Sequence, residues 1–197
     1  TESNQNYDSF DSMDFLNFEL LKGIFDYGFK NPSRIQNLAI KEIFDGHDVI
    51  AQSQSGTGKT GAFTIGSLSV VDTSIKSPQV LVICPTRELA QQTERVARAI
   101  GTHIDLKVLS ATGGNQIRTD VNTLKAGAQF IVGTPGRIYD LIRRGDLSIE
   151  HIKYVVLDEA DQMLEDLFAE QIKAILDNKF PSCTRLALFS ATMPQNV

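Results

Sequence analysis

Short apolar segments alternate with longer helix-like segments after residue 45, and this pattern constrains the fold more than any other feature. Each short segment is almost continuously apolar, as expected for strands that are covered on both faces. These predicted strands lie at 48–53, 79–84, 107–111, 129–133, 154–157 and 185–189. The predicted helices between them lie at 58–71, 88–100, 117–125, 138–144 and 162–176. The alternation predicts an α/β fold, a mainly parallel sheet with helices on both faces.

Two further helical segments precede this pattern. Residues 16–27 carry apolar side chains at helical spacing and end at Gly28, and residues 33–44 follow Pro32 and end at Gly46. Both ends agree with the preference for glycine just after a helix. A chain of 197 residues suits one domain. We therefore expect a flexible tail at 1–9 and a single domain at 10–197.

The charge balance limits how this chain could bind nucleic acid. It has 19 basic and 24 acidic residues, a net charge of −5. This argues against binding of nucleic acid mainly through an overall positive charge. It is compatible with binding through backbone N–H groups and a few well-placed arginines. The sequence has no apolar run of the length that a membrane-spanning helix requires.

The cysteines and histidines predict neither a disulfide framework nor a zinc site. Cys84 and Cys183 are too few for either, and the three histidines are isolated in the sequence. Cys84 lies in an apolar run, which predicts a buried thiol. Reduced thiols favour a cytoplasmic location, with the nucleus as the alternative.

A glycine-rich turn between the first predicted strand and the following helix has the layout of a phosphate-binding loop. Its sequence is Ser53-Gln54-Ser55-Gly56-Thr57-Gly58-Lys59-Thr60. The glycines let successive N–H groups point at phosphate oxygens, Lys59 supplies a charge to the outer phosphates, and Thr60 places a hydroxyl near Mg²⁺. The strict pattern has glycine where this chain has Ser53, and the alternative is a turn that binds nothing.

An acidic pair supplies the second element that a phosphate loop requires. Asp158 and Glu159 directly follow the predicted strand at 154–157. Asp158 is suited to bind the Mg²⁺ ion and its water shell, and Glu159 is suited to position the attacking water. The alternative for the pair alone is a solvated strand end. The chain lacks the Asn-Lys-x-Asp pattern that reads guanine, so we expect the nucleotide to be ATP.

Several motifs, taken in order, resemble those of the DEAD-box RNA helicases. They are Gly28-Phe29, Pro32-Ser33-Arg34-Ile35-Gln36, Pro85-Thr86-Arg87-Glu88-Leu89-Ala90, Gly113-Gly114, Thr134-Pro135-Gly136-Arg137, Asp158-Glu159-Ala160-Asp161 and Ser190-Ala191-Thr192. The resemblance runs from Phe10 to Val197 and implies the N-terminal RecA-like P-loop domain of that family. The segment at 9–11 and the run at 51–61 look most similar to the initiation factor 4A group.

The resemblance also implies roles for individual residues. Gln36 would hydrogen-bond to the edge of adenine, and the alternative is that it is an exposed helix residue. Phe10 would stack on the face of adenine, and the alternative is that it is an apolar anchor for the tail. Asp161, Ser190 and Thr192 would couple nucleotide and RNA. The residues that would contact RNA through sugar and phosphate are Thr86, Arg87, Gly113, Gly114, Thr134 and Arg137.

At the level of the whole protein, the resemblance implies an RNA-dependent ATPase and helicase that uses ATP and Mg²⁺ and acts on single-stranded or duplex RNA in translation initiation. The family has a second RecA-like domain with an arginine finger, and nothing in this sequence matches it. We therefore expect the N-terminal half of a longer protein, with that domain and a regulatory scaffold protein as partners. On its own this half should bind nucleotide weakly and hydrolyse very little.

Three alternatives stay open at this point. The first is an ATP-gated RNA clamp that holds RNA in a larger assembly. The second is a P-loop switch or motor that does not touch RNA, and the third is DNA as the substrate.

Overall fold

Six parallel strands form a single sheet in the computed structural model, which describes residues 6–164 and 168–192. The strands are β1 (Val49–Gln52), β2 (Val80–Ile83), β3 (Val108–Ala111), β4 (Phe130–Gly133), β5 (Tyr154–Asp158) and β6 (Arg185–Ser190). Their order across the sheet is β1-β6-β5-β2-β4-β3, and every neighbouring pair is parallel. All six predicted strands are confirmed, with ends that differ by at most one residue.

Helices fill the intervals between the strands and precede the first strand. They are α1 (Phe18–Asp26), α2 (Arg34–Phe44), α3 (Lys59–Leu68), α4 (Arg87–Ile100), α5 (Ile117–Lys125), α6 (Pro135–Arg143), α7 (Ala160–Leu164) and α8 (Ala169–Leu176). The single helix predicted at 162–176 is replaced by α7 and α8. Residues 165–167, which join them, lie outside the described residues. So does Pro194, whose residue type is favoured in the first turn of a helix and which predicts a helix start there. Among the described helices, none combines the length and apolar character needed to cross a membrane.

Two separate apolar cores cover the two faces of the sheet. Successive side chains of a strand point to opposite faces, and in β2 Val80 and Val82 belong to one core while Leu81 and Ile83 belong to the other. The first core contains side chains from α1 to α4, and the second contains side chains from α5 to α8. Burial on both faces explains why the strands are almost continuously apolar, and it confirms the predicted α/β class.

The N-terminal segment packs against α2, which corrects the prediction of a flexible tail for residues 6–9. The Tyr7 ring is 8% exposed, and its backbone N–H donates to Asn37 Oδ1 at 2.8 Å. Phe10 and Met13 are fully buried in the first core. Burial of these apolar side chains anchors the segment. Residues 1–5 lie outside the described residues.

The parallel arrangement brings the polar loops to one edge of the sheet. The strands end in register, with Gln52 beside Ser190, and with Ile83 beside both Leu157 and Gly133. The loops that follow the strands therefore lie side by side along what we call the carboxyl edge. In open α/β sheets this is the edge where ligands bind.

The burial predicted for Cys84 is confirmed. It is 0% exposed just after β2, and Cys183 is an exposed free thiol. Burial is the main cause that raises the pKa of the Cys84 thiol, and the nearby Asp158 charge raises it further. Cys84 is therefore a neutral core residue.

Candidate functional site

The glycine-rich loop leads from β1 directly into the N-terminus of α3. Gly56 and Gly58 have φ of +80° and +94°, a left-handed conformation that glycine adopts at low cost. Gly58 is the N-cap residue, and no described side chain caps α3. The first N–H groups of α3 and the positive end of its dipole are therefore available to an anion.

Two hydroxyl side chains brace this loop from within. Thr57 Oγ1 donates to the Gln54 carbonyl at 2.7 Å, and it is also hydrogen-bonded to Ser53 Oγ. Neither side chain lines the cleft next to the loop, whereas Ser55 does. The Ser53 and Thr57 side chains therefore stabilise the conformation of the loop and do not face the cleft. Nucleotide contacts from Ser53, Gln54 and Thr57 stay a prediction.

Lys59 and Glu159 form a largely buried ion pair in the cleft. Lys59 Nζ lies 2.9 Å from Glu159 Oε1, and the two side chains are 6% and 15% exposed. Glu159 has φ of +52°, which is unusual for a residue with a side chain and is a strained conformation of the kind concentrated at functional sites. The strained turn at the end of β5 therefore holds Glu159 against the phosphate-loop lysine.

Asp158 is the buried carboxylate of the cleft. It is 3% exposed, and burial raises its pKa to about 6, with the Lys59 charge opposing this rise and the Glu159 charge adding to it. Thr60 and Asp158 line the same cleft, and a hydroxyl with a carboxylate is a donor set that Mg²⁺ prefers. The residues present therefore fit Mg²⁺ bound with a nucleoside triphosphate, because a cation would stabilise the charged form of Asp158.

The raised pKa of Asp158 predicts a pH-dependent stability. Between pH 3.8 and about 6 the folded chain binds more protons at this group than the unfolded chain does, so its contribution to stability falls as pH rises through that range. Asp158→Asn should raise the free energy of unfolding by about 3 kcal/mol at about pH 8, and hardly at all at about pH 4. Urea unfolding in the presence of EDTA measures the difference.

A matched substitution separates this effect from general charge removal. Asp14 is an exposed carboxylate, and Asp14→Asn should leave stability nearly unchanged across the same pH range. Equal effects of the two substitutions would contradict the burial argument.

Two aromatic side chains to which the sequence analysis gave no role form a wall of the cleft. Tyr27 and Phe29 line it together with Leu89, Gln92 and Val96 of α4. The Gly28-Phe29 motif was a signal for Phe29, but no sequence signal marked Gln92. α4 faces the cleft because it packs beside α3, which is a property of the tertiary fold.

Phe10 requires a correction. It is 0% exposed and stacks on Phe29, with ring centroids 6.2 Å apart and an angle of 25° between the planes. A fully buried ring has no face open to a base, so Phe10 supports the aromatic wall from behind. The alternative of an apolar anchor for the N-terminal segment is the one that the structure supports.

Gln36 joins α2 to the phosphate loop. Its Oε1 accepts from the Ser33 N–H at 2.8 Å in a capping box, and its Nε2 donates to the Gly58 carbonyl at 3.3 Å. It is 3% exposed, so the alternative of an exposed helix residue is wrong. Both ends of the amide are engaged within the protein, and the adenine contact stays a prediction.

The predicted coupling residues lie together at the ends of β5 and β6. Asp161 Oδ2 accepts from Thr192 Oγ1 at 2.9 Å and from the Thr192 N–H at 3.2 Å, and the Asp161 N–H donates to Ser190 Oγ at 3.2 Å. Partial burial acts to raise the pKa of Asp161, but these hydrogen bonds outweigh it and lower the pKa. The cluster links the acidic segment to the end of β6.

The predicted RNA residues all lie along the carboxyl edge, but they are not equivalent. Thr86 is the exposed N-cap of α4 and accepts from the Leu89 N–H at 3.3 Å, and Arg87 is exposed beside it. Gly113 and Gly114 are exposed after β3, and Thr134 is the half-buried N-cap of α6. Hydroxyl, backbone and guanidinium groups in this arrangement suit contacts to sugar and phosphate.

Arg137 is turned inward, unlike Arg87. Its side chain is 12% exposed and pairs with Asp120, which is 3% exposed; a second guanidinium nitrogen donates to the Asn115 carbonyl at 2.7 Å. Burial raises the pKa of Asp120, and Arg137 opposes this rise. Arg137 therefore holds Asp120 and the Asn115 carbonyl in this structure, and the RNA contact expected of it stays a prediction.

A family model described as DEAD/DEAH box helicase matches residues 33–197. Among curated relatives, the chain is 50% identical to the ATP-dependent RNA helicase eIF4A of Eremothecium gossypii, with all of the chain and 50% of the relative aligned. It is 52% identical to the ATP-dependent RNA helicase eIF4A of Aspergillus niger, with 96% of the chain and 47% of the relative aligned. The chain thus spans about half the length of the curated relatives it matches.

Solved structures agree with these sequence matches. A DEAD box protein from the hyperthermophile Methanococcus jannaschii superposes with a TM-score of 0.90 at 36% identity, covering 96% of this chain and 52% of that one. Saccharomyces cerevisiae Dbp5 bound to RNA and ADP BeF3 superposes with a TM-score of 0.85 at 38% identity, covering 96% and 48%. The fold is that of the RecA-like domain of DEAD-box proteins, and the identity to eIF4A relatives confirms the predicted subgroup resemblance. With the phosphate loop, the acidic segment and the coupling cluster gathered at the carboxyl edge, the chain belongs to the DEAD/DEAH box helicase family.

Proposed function

We propose that this chain is the nucleotide-carrying N-terminal half of an ATP-dependent RNA helicase that hydrolyses ATP to ADP and phosphate. The observation that carries the proposal is the meeting of Lys59, Thr60 and Asp158 in one cleft with Glu159, beside the uncapped N-terminus of α3. Such a site can bind a triphosphate through N–H groups, one lysine and one Mg²⁺.

The residues of the cleft would have different roles in binding and hydrolysis. N–H groups of the loop and of α3 would hold the phosphates, with Lys59 on the outer ones. Thr60 and Asp158 would hold Mg²⁺, which neutralises negative charge on the phosphates. Because Lys59 is paired with Glu159, an entering phosphate would replace the carboxylate on the lysine. The released Glu159 could then orient the water that attacks the terminal phosphorus.

The partners that we propose follow from the relatives. The chain aligns with about half of each eIF4A relative, which supports a second RecA-like domain in the parent protein. Dbp5 has been solved bound to RNA and, as a variant, bound to Gle1, which supports RNA and a regulatory scaffold protein as partners here. The names of the eIF4A relatives support a role in translation initiation. The cytoplasmic location, with the nucleus as the alternative, rests on the reduced thiols alone.

Rate and binding measurements test this proposal. Calorimetry with Mg-ATP should show weak binding to this chain, and hydrolysis should be very slow, because a missing arginine finger typically costs a factor of about 10³–10⁵. The full-length parent protein should hydrolyse ATP faster when RNA is added and should unwind a duplex.

Three results would contradict the proposal. One is enzyme-like, RNA-stimulated hydrolysis by this chain alone, and another is the absence of Mg-ATP binding by the folded chain. The third is slow ATP-dependent retention of RNA by the parent protein without unwinding, which would indicate a clamp. Competition between matched RNA and DNA strands would distinguish the two nucleic acids through contacts to the 2′-hydroxyl.

A further inference from the structure

Asn115 lies between two arginines that stand at the starts of two helices on the carboxyl edge, Arg87 of α4 and Arg137 of α6. Its side-chain Oδ1 accepts from Arg87 Nη2 at 3.4 Å, and its backbone carbonyl accepts from Arg137 Nη2 at 2.7 Å. Arg87 follows β2, Asn115 follows β3 and Arg137 follows β4. One asparagine thus connects the segments that follow three strands.

The hydrogen bond between Arg137 and the Asn115 carbonyl lies on the buried side of Asn115. Arg137 also pairs with Asp120 of α5, and both side chains are largely shielded from water, at 12% and 3% exposed. A guanidinium that is fixed by a carboxylate in this way has a defined orientation. It therefore holds the Asn115 carbonyl, and with it the loop at 113–116, at a fixed position relative to α5 and α6.

The hydrogen bond between Arg87 and the Asn115 side chain lies on the exposed side of Asn115. Gly114 has φ of +89°, and a Cβ added at Gly114 would lie 2.9 Å from Arg87 Nη1, so the guanidinium rests directly on the loop. Asn115 accepts from this guanidinium with a neutral oxygen. A neutral acceptor restricts the direction of the arginine but leaves its positive charge available to a phosphate, whereas a carboxylate would neutralise that charge.

We propose that Asn115 is a positioning residue for RNA binding, which orients Arg87 toward the RNA backbone while Arg137 and Asp120 hold Asn115 in place. This inference rests on the proposed function, since it concerns the RNA-binding edge of the same domain. It gives the two arginines different tasks: Arg87 contacts phosphate, and Arg137 fixes the loop. Orienting a flexible arginine in advance reduces the entropy lost on binding.

A double-mutant cycle with a fluorescein-labelled oligouridylate tests the proposal by fluorescence anisotropy over a range of salt concentrations. Asn115→Ala should weaken RNA binding roughly 2- to 10-fold, the range expected for one hydrogen bond. The slope of log K against log[salt] should not change, because no charge is removed, whereas Arg87→Ala should reduce that slope by about one. Asn122→Ala, at an exposed asparagine of the following helix α5, serves as the control.

The coupling between the two substitutions decides the inference. If Asn115 acts through Arg87, the double variant should bind RNA no more weakly than Arg87→Ala alone. Additive losses, or an Asn115→Ala variant that binds like the control, would overturn the proposal.

NMR relaxation of the Arg87 side chain gives a readout that does not depend on RNA. The Arg87 Nε–Hε bond should be more mobile in Asn115→Ala than in Asn122→Ala, whereas the backbone at 113–116 should stay ordered, because the Asn115 carbonyl still accepts from Arg137. Unchanged mobility of the Arg87 side chain in Asn115→Ala would overturn the positioning role. If the unaltered chain failed to bind RNA while Asn115→Ala still released the Arg87 side chain, the proposed function would fail and the positioning of Arg87 would stand.

Discussion

Lys59→Ala is expected to weaken Mg-ATP binding by about 100-fold, the upper range for a lost hydrogen bond to a charged group. Lys59 is 6% exposed, and its ammonium group points into the cleft, where Glu159 is its described partner. In this shielded position, a lysine interacts with phosphate more strongly than a surface lysine would. Calorimetric titration with Mg-ATP and Mg-ADP measures the loss.

The same substitution should change the protonation of the acidic segment. The Lys59 charge lowers the pKa of Asp158, so its removal should raise that pKa above about 6 and weaken Mg²⁺ binding near neutral pH. Lys22→Ala is the control, because Lys22 is exposed on α1 and far in sequence from the loop. Unchanged Mg-ATP affinity in a folded Lys59→Ala variant would refute the assignment of the cleft.

The elements of the fold were predictable because burial on both faces leaves a local signature. Strands β2 and β4 are buried at every residue, and such segments read as continuous apolar runs in the sequence. The order of the strands has no such signature. Lys59 follows β1 and Asp158 ends β5, and these strands are separated by β6 in the sheet. Before the structure, the two residues were brought together only by the need of a phosphate loop for a metal-binding carboxylate and by the resemblance to a family.

Side-chain roles were less predictable, because they depend on packing between distant segments. Phe10 and Phe29 are both aromatic residues near the start of the chain, yet one is fully buried and the other lines the cleft. Arg87 and Arg137 occupy equivalent places after neighbouring strands. What separates them is Asp120, a buried acid on α5 that no sequence pattern marked. A long-range partner of this kind decides whether an arginine faces a ligand or the protein.

Asp120→Ala is expected to lower the free energy of unfolding by about 3 kcal/mol, the lower end of the range for breaking a buried ion pair. Asp120 is 3% exposed, and its removal leaves Arg137 shielded from water without a carboxylate. The Asn115 carbonyl would be the described acceptor that remains for the guanidinium. Because Arg137 would then no longer be fixed, RNA affinity should also fall. Urea unfolding and RNA titration of the same preparations measure both effects.

A surface pair in the next helix supplies the comparison. Arg143 and Asp140 lie 3.1 Å apart with side chains 64% and 34% exposed, so Asp140→Ala should cost only about 0.5 kcal/mol. The cost at Asp120 comes from the charge left on Arg137, and Arg137→Ala in the Asp120→Ala background should therefore add little further loss. If the two single losses simply added, the pair would not act as a unit, and the inward orientation of Arg137 would not explain the stability of this edge.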